Sequence, residues 1–318
     1  MSLAQFDQFS GAFYKLAPTT QGLVGGSAVH CYNPPPFASL FPPIPSTEHD
    51  SNMEPMITTA LKAVRKAGIL IERSFERLDL VKAEEKGIND FVSDVDRKSE
   101  QEIIYNLRKA YPDHRFHGEE SGYSGPEDAE YEWIIDPLDG TTNFLHGIPH
   151  FAISVACLRK GQLEHAIILD PMKREEFTAT RGGGATLNDR RIRVSDRQSF
   201  NGAIFGTGIP FNGFAFKHIE EYTEAMKEVA GISAGIRRQG SAALDLAYVA
   251  AGRYDGFWEM NLQKWDTAAG LLLIKEAGGM VSDFKGGNKH FESGNIVCAT
   301  PKLFKPLLQI VGRHMGKI

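Results

Sequence analysis

The sequence has 318 residues, 42% hydrophobic and 24% charged, a globular balance that excludes a collagen-like, coiled or wholly disordered chain. A formal net charge of −5 offers no general positive field for nucleic acid or an anionic membrane, which turns the expectation towards a small-molecule partner. Cys31, Cys157 and Cys298 are too scattered for structural zinc or a disulfide framework, no run of about 18 apolar residues occurs, and the N-terminus shows no basic region followed by an apolar stretch, so a soluble cytoplasmic protein is expected.

Residues 1–52 are rich in Gly, Ser and Pro, including Pro34, Pro35, Pro36, Pro42, Pro43 and Pro45, and read as a flexible N-terminal extension. The folded domain is then expected over residues 53–318. Met56, Ile57, Ala60, Leu61, Val64, Ala67, Ile71 and Phe75 recur at helical spacing and predict an amphipathic helix. A second helix is expected after Asp96, with Ile103, Ile104 and Leu107 inward and an end before Pro112. Residues 133–135, 151–158, 163–169 and 175–180 read as consecutive strands, implying an antiparallel sheet. Residues 242–251 read as helix, 254–259 as strand and 266–277 as helix, so the fold class is α+β or a layered sandwich rather than a regular βαβ array.

The most informative segment is W-I-I-D-P-L-D-G-T-T-N-F, residues 133–144, where an apolar strand runs into two carboxylates. Pro137 stiffens the turn, so that Asp136, Asp139 and the Leu138 carbonyl can converge on an oxygen-rich environment suited to magnesium. A plain capping turn is the more common explanation of Asp-x-x-Asp when it stands alone. Glu119 and Glu120 in G-E-E-S, and Asp266 at the head of W-D-T-A-A-G, supply further carboxylates, although a solvated loop and a helix cap are their ordinary explanations.

In order and approximate spacing these three blocks resemble the inositol monophosphatase family, over roughly residues 53–315. The resemblance implies a layered αβαβα sandwich of the inositol monophosphatase and fructose bisphosphatase type. It also implies two or three Mg²⁺ ions on Glu119, Asp136, the Leu138 carbonyl, Asp139 and Asp266, with Thr141 helping Glu119 to activate water. Gly140, Thr141 and Thr142 would open a helix towards the phosphate. Gly240, Ser241, Ala242 and Glu259 resemble positions that contact inositol hydroxyls, beside Asp139, Gly140 and Thr141. Lys86 resembles a loop lysine near the metal water network, and Asp90 and Asp96 are candidates for supporting it, with one residue fewer between Lys86 and Asp90 than in the animal enzymes. The implied activity is lithium-sensitive hydrolysis of inositol 1-phosphate or another small phosphorylated polyol.

Fructose bisphosphate, a 3′-phosphoadenosine nucleotide and NADP stay open as substrates, because the same ligands serve all of them; Glu259 favours a neutral polyol over a second phosphate. The resemblance also extends to a bacterial branch associated with ribosomal RNA antitermination, which implies RNA polymerase and Nus factors as partners. A homodimer is expected, with the small-residue helix 242–251 beside Arg237 and Arg238 as its edge. His114, His117, His146 and His150 read as structural, and the R-G-G-G at 181–184 as a hairpin loop.

Overall fold

The computed structural model describes residues 54–87, 90–210 and 213–318; the expected extension 1–52 lies outside the described residues. Helix α1 (Pro55–Phe75) starts with a proline in its first turn and buries Ile57, Ala60, Leu61, Val64, Ala67, Ile71 and Phe75, the stripe read from the sequence. A short hairpin, β1 (Ala83–Gly87) and β2 (Asp90–Ser93), leads into helix α2 (Asp94–Ala110). That helix begins two residues before Asp96 because Ser93 caps it, accepting from the Val95 N–H. Asp96 is therefore its third residue, returning a bond to the Ser93 N–H at 2.9 Å.

Eight strands then build a mixed sheet: β3 (Arg115–Gly118), β4 (Gly122–Ser124), β5 (Tyr131–Asp139), β6 (Ala152–Arg159), β7 (Gln162–Asp170), β8 (Glu175–Thr180), β9 (Gly184–Leu187) and β10 (Arg190–Arg191). From β5 to β10 the strands form an antiparallel meander, as the consecutive apolar runs suggested, while β3 joins β5 in parallel. Residues 181–183 turn β8 into β9, which makes the R-G-G-G segment a hairpin. Helix α3 (Thr141–Leu145) leaves the end of β5.

A five-stranded sheet follows in the order β12 (Gly235–Arg237), β11 (Ile204–Thr207), β13 (Gly256–Glu259), β15 (Ile296–Ala299), β14 (Met280–Ser282). Its helices are α4 (Gly213–Phe216), α5 (Ile219–Ile232), α6 (Ala242–Ala250), α7 (Lys264–Glu276), α8 (His290–Ser293) and α9 (Pro301–Met315).

Strand periodicity sorts the apolar side chains into three cores. Trp133, Ile135, Val155 and Ile167 face α1 and α2. On the opposite face of the same sheet, Ile134, Ala156 and Ile168 meet α6 and α7, which Phe257, Ile296 and Cys298 of the smaller sheet cover from beyond. Phe205, Trp258 and Val297 point out to α5 and α9. The layers run helix, sheet, helix, sheet, helix, the αβαβα sandwich expected.

One expectation is corrected by this order. Helix 242–251 was read as an association edge, but Ala243, Leu244, Asp245, Leu246, Ala247, Tyr248, Val249 and Ala250 are all buried in the middle layer. Small residues are there because α6 packs closely on α7 between two sheets, so its apolar surface is already covered.

Candidate active site

Asp136 and Asp139 are three residues apart, a spacing that would point them to opposite faces of a regular strand. The pairing of β5 with β6 slips between them: Asp136 faces Ser154 and Asp139 faces Ala152, three residues against two. This bulge brings both carboxylates to one side. The Asp136 carboxylate accepts from the Leu138 N–H at 3.0 Å, while the Leu138 carbonyl accepts from the Thr141 hydroxyl at 3.0 Å. The chain then turns at Gly140, where φ is 97° and an added Cβ would stand 3.1 Å from both the Gly240 and His150 carbonyl oxygens.

Asp266 is the third residue of α7 rather than its cap, and its Oδ2 accepts from the Gln263 N–H at 2.7 Å. Asp139 Oδ2 accepts from the Ser241 hydroxyl at 2.6 Å and from the Ala243 N–H at 2.7 Å, at the start of α6. The hydrogen bonds described thus engage one oxygen of each acid. Among the described residues, Asp136, Asp139 and Asp266 form a group whose ligand oxygens all lie within 4.8 Å of one another.

Such crowding in a low-dielectric site penalises the charged forms. Burial, reinforced by the like charges of Glu119, Asp139 and Asp266, lifts Asp136 well above the usual carboxylate range. Burial and the same kind of repulsion lift Asp266, against the Gln263 N–H. Burial raises Asp139 to about 6 even though Ser241 and Ala243 favour its anion. An assembly held together against its own repulsion, with only oxygen donors, fits a hard divalent cation. Glu119 joins it electrostatically from the end of β3, with its own N–H on the Ile135 carbonyl at 3.0 Å.

The remaining expected residues fall into three groups. Asp96 accepts from Thr141 Oγ1 at 2.9 Å, which puts it directly behind that hydroxyl. Glu259, at the end of β13, is pushed up to about 8 by burial and by Asp139, with Arg238 opposing. Gly240 and Ala242 border the turn that holds Asp139, while the buried Ser241 hydroxyl is committed to Asp139 and to capping α6 through the Leu244 N–H. That hydroxyl therefore holds Asp139 in place, and no hydrogen bond among the described residues turns it towards an alcohol. Lys86 and Asp90 lie in β1 and β2, and their side chains are outside the described part of the structure. Of the four histidines, His114 accepts from the Trp133 indole at 3.0 Å and His117 stacks on Tyr123.

Sequence reading missed Ser99, Glu100, Asn143 and Asp245. Asn143 ties the His150 and Gln239 carbonyls together, joining the α3 turn to the segment before α6. Asp245 lies buried on α6, lifted well above its usual range first by burial and then by Glu259 and Asp139. A signal existed for Glu100, an acid four residues after Asp96 on the inward stripe of α2, and Asn143 lies within the 133–144 segment already singled out.

A model of the inositol monophosphatase family matches residues 52–315. The chain belongs to the inositol monophosphatase family. Within it, the sequence is 55% identical over 265 residues to the Nus factor SuhB of Pseudomonas aeruginosa, covering 83% of this chain and 98% of that one. It is 50% identical over 256 residues to the Nus factor SuhB of Escherichia coli K12, covering 80% and 95%. Among solved structures, the extragenic suppressor protein suhB of Bartonella henselae superposes with a TM-score of 0.79 at 43% identity, over 82% of this chain and all of that one. The inositol monophosphatase of Thermotoga maritima gives 0.74 at 33% identity, over 82% and 98%. For an inositol monophosphatase-family chain, the converging acids at the end of β5 and the start of α7 are the natural place to seek phosphate chemistry.

Proposed function

We propose that this chain is a magnesium-dependent phosphomonoesterase that hydrolyses inositol 1-phosphate, or a closely similar phosphorylated polyol, to the alcohol and phosphate. The observation that carries the reading is the group of Asp136, Asp139 and Asp266, one buried and two half-buried acids from two layers of the fold, with Glu119 beside them. In this reading Glu119, Asp136, the Leu138 carbonyl, Asp139 and Asp266 hold two or three Mg²⁺. Bound magnesium would supply an acidified water and neutralise the phosphate and the departing alkoxide. The chain's own contribution is orientation. Thr141, bonded to Asp96 and to the Leu138 carbonyl, is set to accept a proton-bearing contact from a water beside Glu119. Glu259, Gly240 and Ala242 border the space for the alcohol portion, with Lys86 and Asp90 assigned by resemblance to support the metal waters.

The test is phosphate release in magnesium across inositol 1-phosphate, glycerol 2-phosphate, fructose 1,6-bisphosphate, adenosine 3′,5′-bisphosphate and NADP. The polyol monophosphates are expected to be turned over best, with suppression by lithium and by chelation. Full turnover in excess EDTA would sink the reading.

A second role is favoured by the names of the relatives, since proteins 50–55% identical are called Nus factors. We propose that this chain also associates with RNA polymerase and Nus factors in transcription antitermination, and that it works as a homodimer. Co-purification of an Asp266→Asn variant with both partners would separate this role from catalysis, whereas failure of the wild-type chain to retain either partner would remove it.

A further inference from the structure

The inward face of α2 changes character along its length. Ile103 and Leu107 enter the core, whereas Asp96, Ser99 and Glu100, at i, i+3 and i+4, set three polar side chains on one stripe. Each reaches a different segment of the candidate site. Asp96 accepts from Thr141, and Ser99 donates to the Pro137 carbonyl at 2.9 Å, inside the bulge that carries Asp136 and Asp139. Glu100 reaches the third segment, accepting at 2.9 Å from the Glu120 N–H through Oε2 and at 2.9 Å from the Ser121 N–H through Oε1.

Glu100 is 2% exposed, and burying a carboxylate is costly unless its acceptors are satisfied. Two backbone donors meet that need, and the backbone is shaped to allow it. At Gly118 an added Cβ would stand 2.3 Å from Glu100 Oε2, so a side chain there would displace the carboxylate from beneath the turn. The residue between Gly118 and these two donors is Glu119. Its backbone is thus fixed from both directions, by its own N–H on the Ile135 carbonyl and by the next two N–H groups on Glu100.

We infer that Glu100 is a positioning residue, which holds the 118–121 turn so that Glu119 presents its carboxylate to the Asp136, Asp139 and Asp266 group and thereby sets the affinity of the cation site. The first half stands on hydrogen-bond geometry; the second rests on the phosphatase reading. Groups that orient ligands from behind typically carry a tenfold to hundredfold share of metal affinity. A residue that merely stabilised the fold would affect melting and leave metal affinity alone.

The experiment uses the full-length chain as wild type, Glu100→Gln, Glu100→Ala and Asp266→Asn. Magnesium is titrated calorimetrically, and the magnesium dependence of inositol 1-phosphate hydrolysis is measured in parallel. Glu100→Gln keeps the shape but replaces one acceptor with a donor that faces a backbone N–H. It is expected to raise the magnesium Kd by about tenfold, and Glu100→Ala by up to about a hundredfold. The magnesium concentration for half-maximal rate should rise with the Kd, while KM for the ester at saturating magnesium stays near wild type. Unchanged Kd in Glu100→Gln, with or without a lower Tm, overturns the inference, and that variant decides the matter if Glu100→Ala does not fold. Wild type that binds while Asp266→Asn does not, with both Glu100 variants binding like wild type, overturns only the Glu100 inference. Wild type and Asp266→Asn binding alike overturns the cation site itself, and the inference with it.

Discussion

Asp266 both accepts a bond from the first turn of α7 and belongs to the acid group, so replacing it by asparagine separates two effects. Asparagine keeps an acceptor for the Gln263 N–H but removes one of the like charges that act on Asp136. In EDTA, Asp266→Asn should therefore melt no lower than wild type, and the rise in Tm caused by magnesium should shrink. With magnesium, kcat should fall by on the order of a hundredfold or more. Melting curves with and without the ion, together with turnover, check both; normal turnover would remove Asp266 from the site. Glu259 gives the pH prediction. Its folded pKa of about 8 lies above the ordinary 4.5, so its contribution to stability is fully present below about 4.5 and is lost as pH rises through 8. The Tm of metal-free wild type, measured against Glu259→Gln, should accordingly decline from pH 5 to 8 and then level off. A difference that stays flat over that range would show that Glu259 is not held in a charge-averse site. At this scale the acids were legible because W-I-I-D-P-L-D-G-T-T and W-D-T-A-A-G have few other uses together. The donors behind them were not, since one serine looks like any other until Ser241 is seen to hold Asp139 and Ser99 to hold Pro137.

Elements carry these residues with a precision set by their ends. Ser93 starts α2, and its hydroxyl also bonds Asp96, the residue behind Thr141. Ser93→Ala should cost about 1 kcal/mol, the usual value for a lost cap, seen as a lower urea midpoint with an unchanged m-value. It should also lower kcat, because Asp96 loses one of the three donors that fix its rotamer; unaltered kcat would separate the cap from the site. Strand and helix existence was readable from periodicity, as the burial of the α1 stripe and the β5 to β8 meander demonstrate. Boundaries moved where caps or pairing intervened: α7 begins at Lys264, before Asp266, and β13 at Gly256. The bulge at 136–139 had no sequence signal beyond Pro137, yet it decides that both acids face one way. Helix α6 misled because small apolar residues serve a tight interior crossing and a subunit edge equally well.

For the whole molecule, three cores in a five-layer stack leave association to surfaces other than α6. The strand β12 is an edge of the smaller sheet and carries exposed Arg237, with exposed Arg238 immediately after it. Arg238 also acts on the charges of Glu259 and Asp245, favouring their anions. Arg238→Ala should shift a dimer towards monomer in sedimentation across a dilution series and should raise KM for the ester as well; an unchanged sedimentation profile would exclude it from the interface. A chain beginning at Met53 should keep the Tm and activity of the full-length protein, since α1 begins at Pro55 and supplies its own buried stripe. Loss of either would assign residues 1–52 a structural or catalytic part.

Asp136 and Asp139 belong to the eight-stranded sheet, Asp266 to a helix of the middle layer, and Asp139 is also bonded to the neighbouring helix of that layer. An ion shared among them, as proposed, would therefore be a rivet between two plates of the stack as well as a reagent. Its departure would loosen that seam first, at the tip of β5 and the opening turns of α6 and α7, leaving the outer plates clasped by their own cores. Amide exchange should register this as magnesium-dependent protection concentrated on those three ends, with α5 and α9 indifferent to the ion.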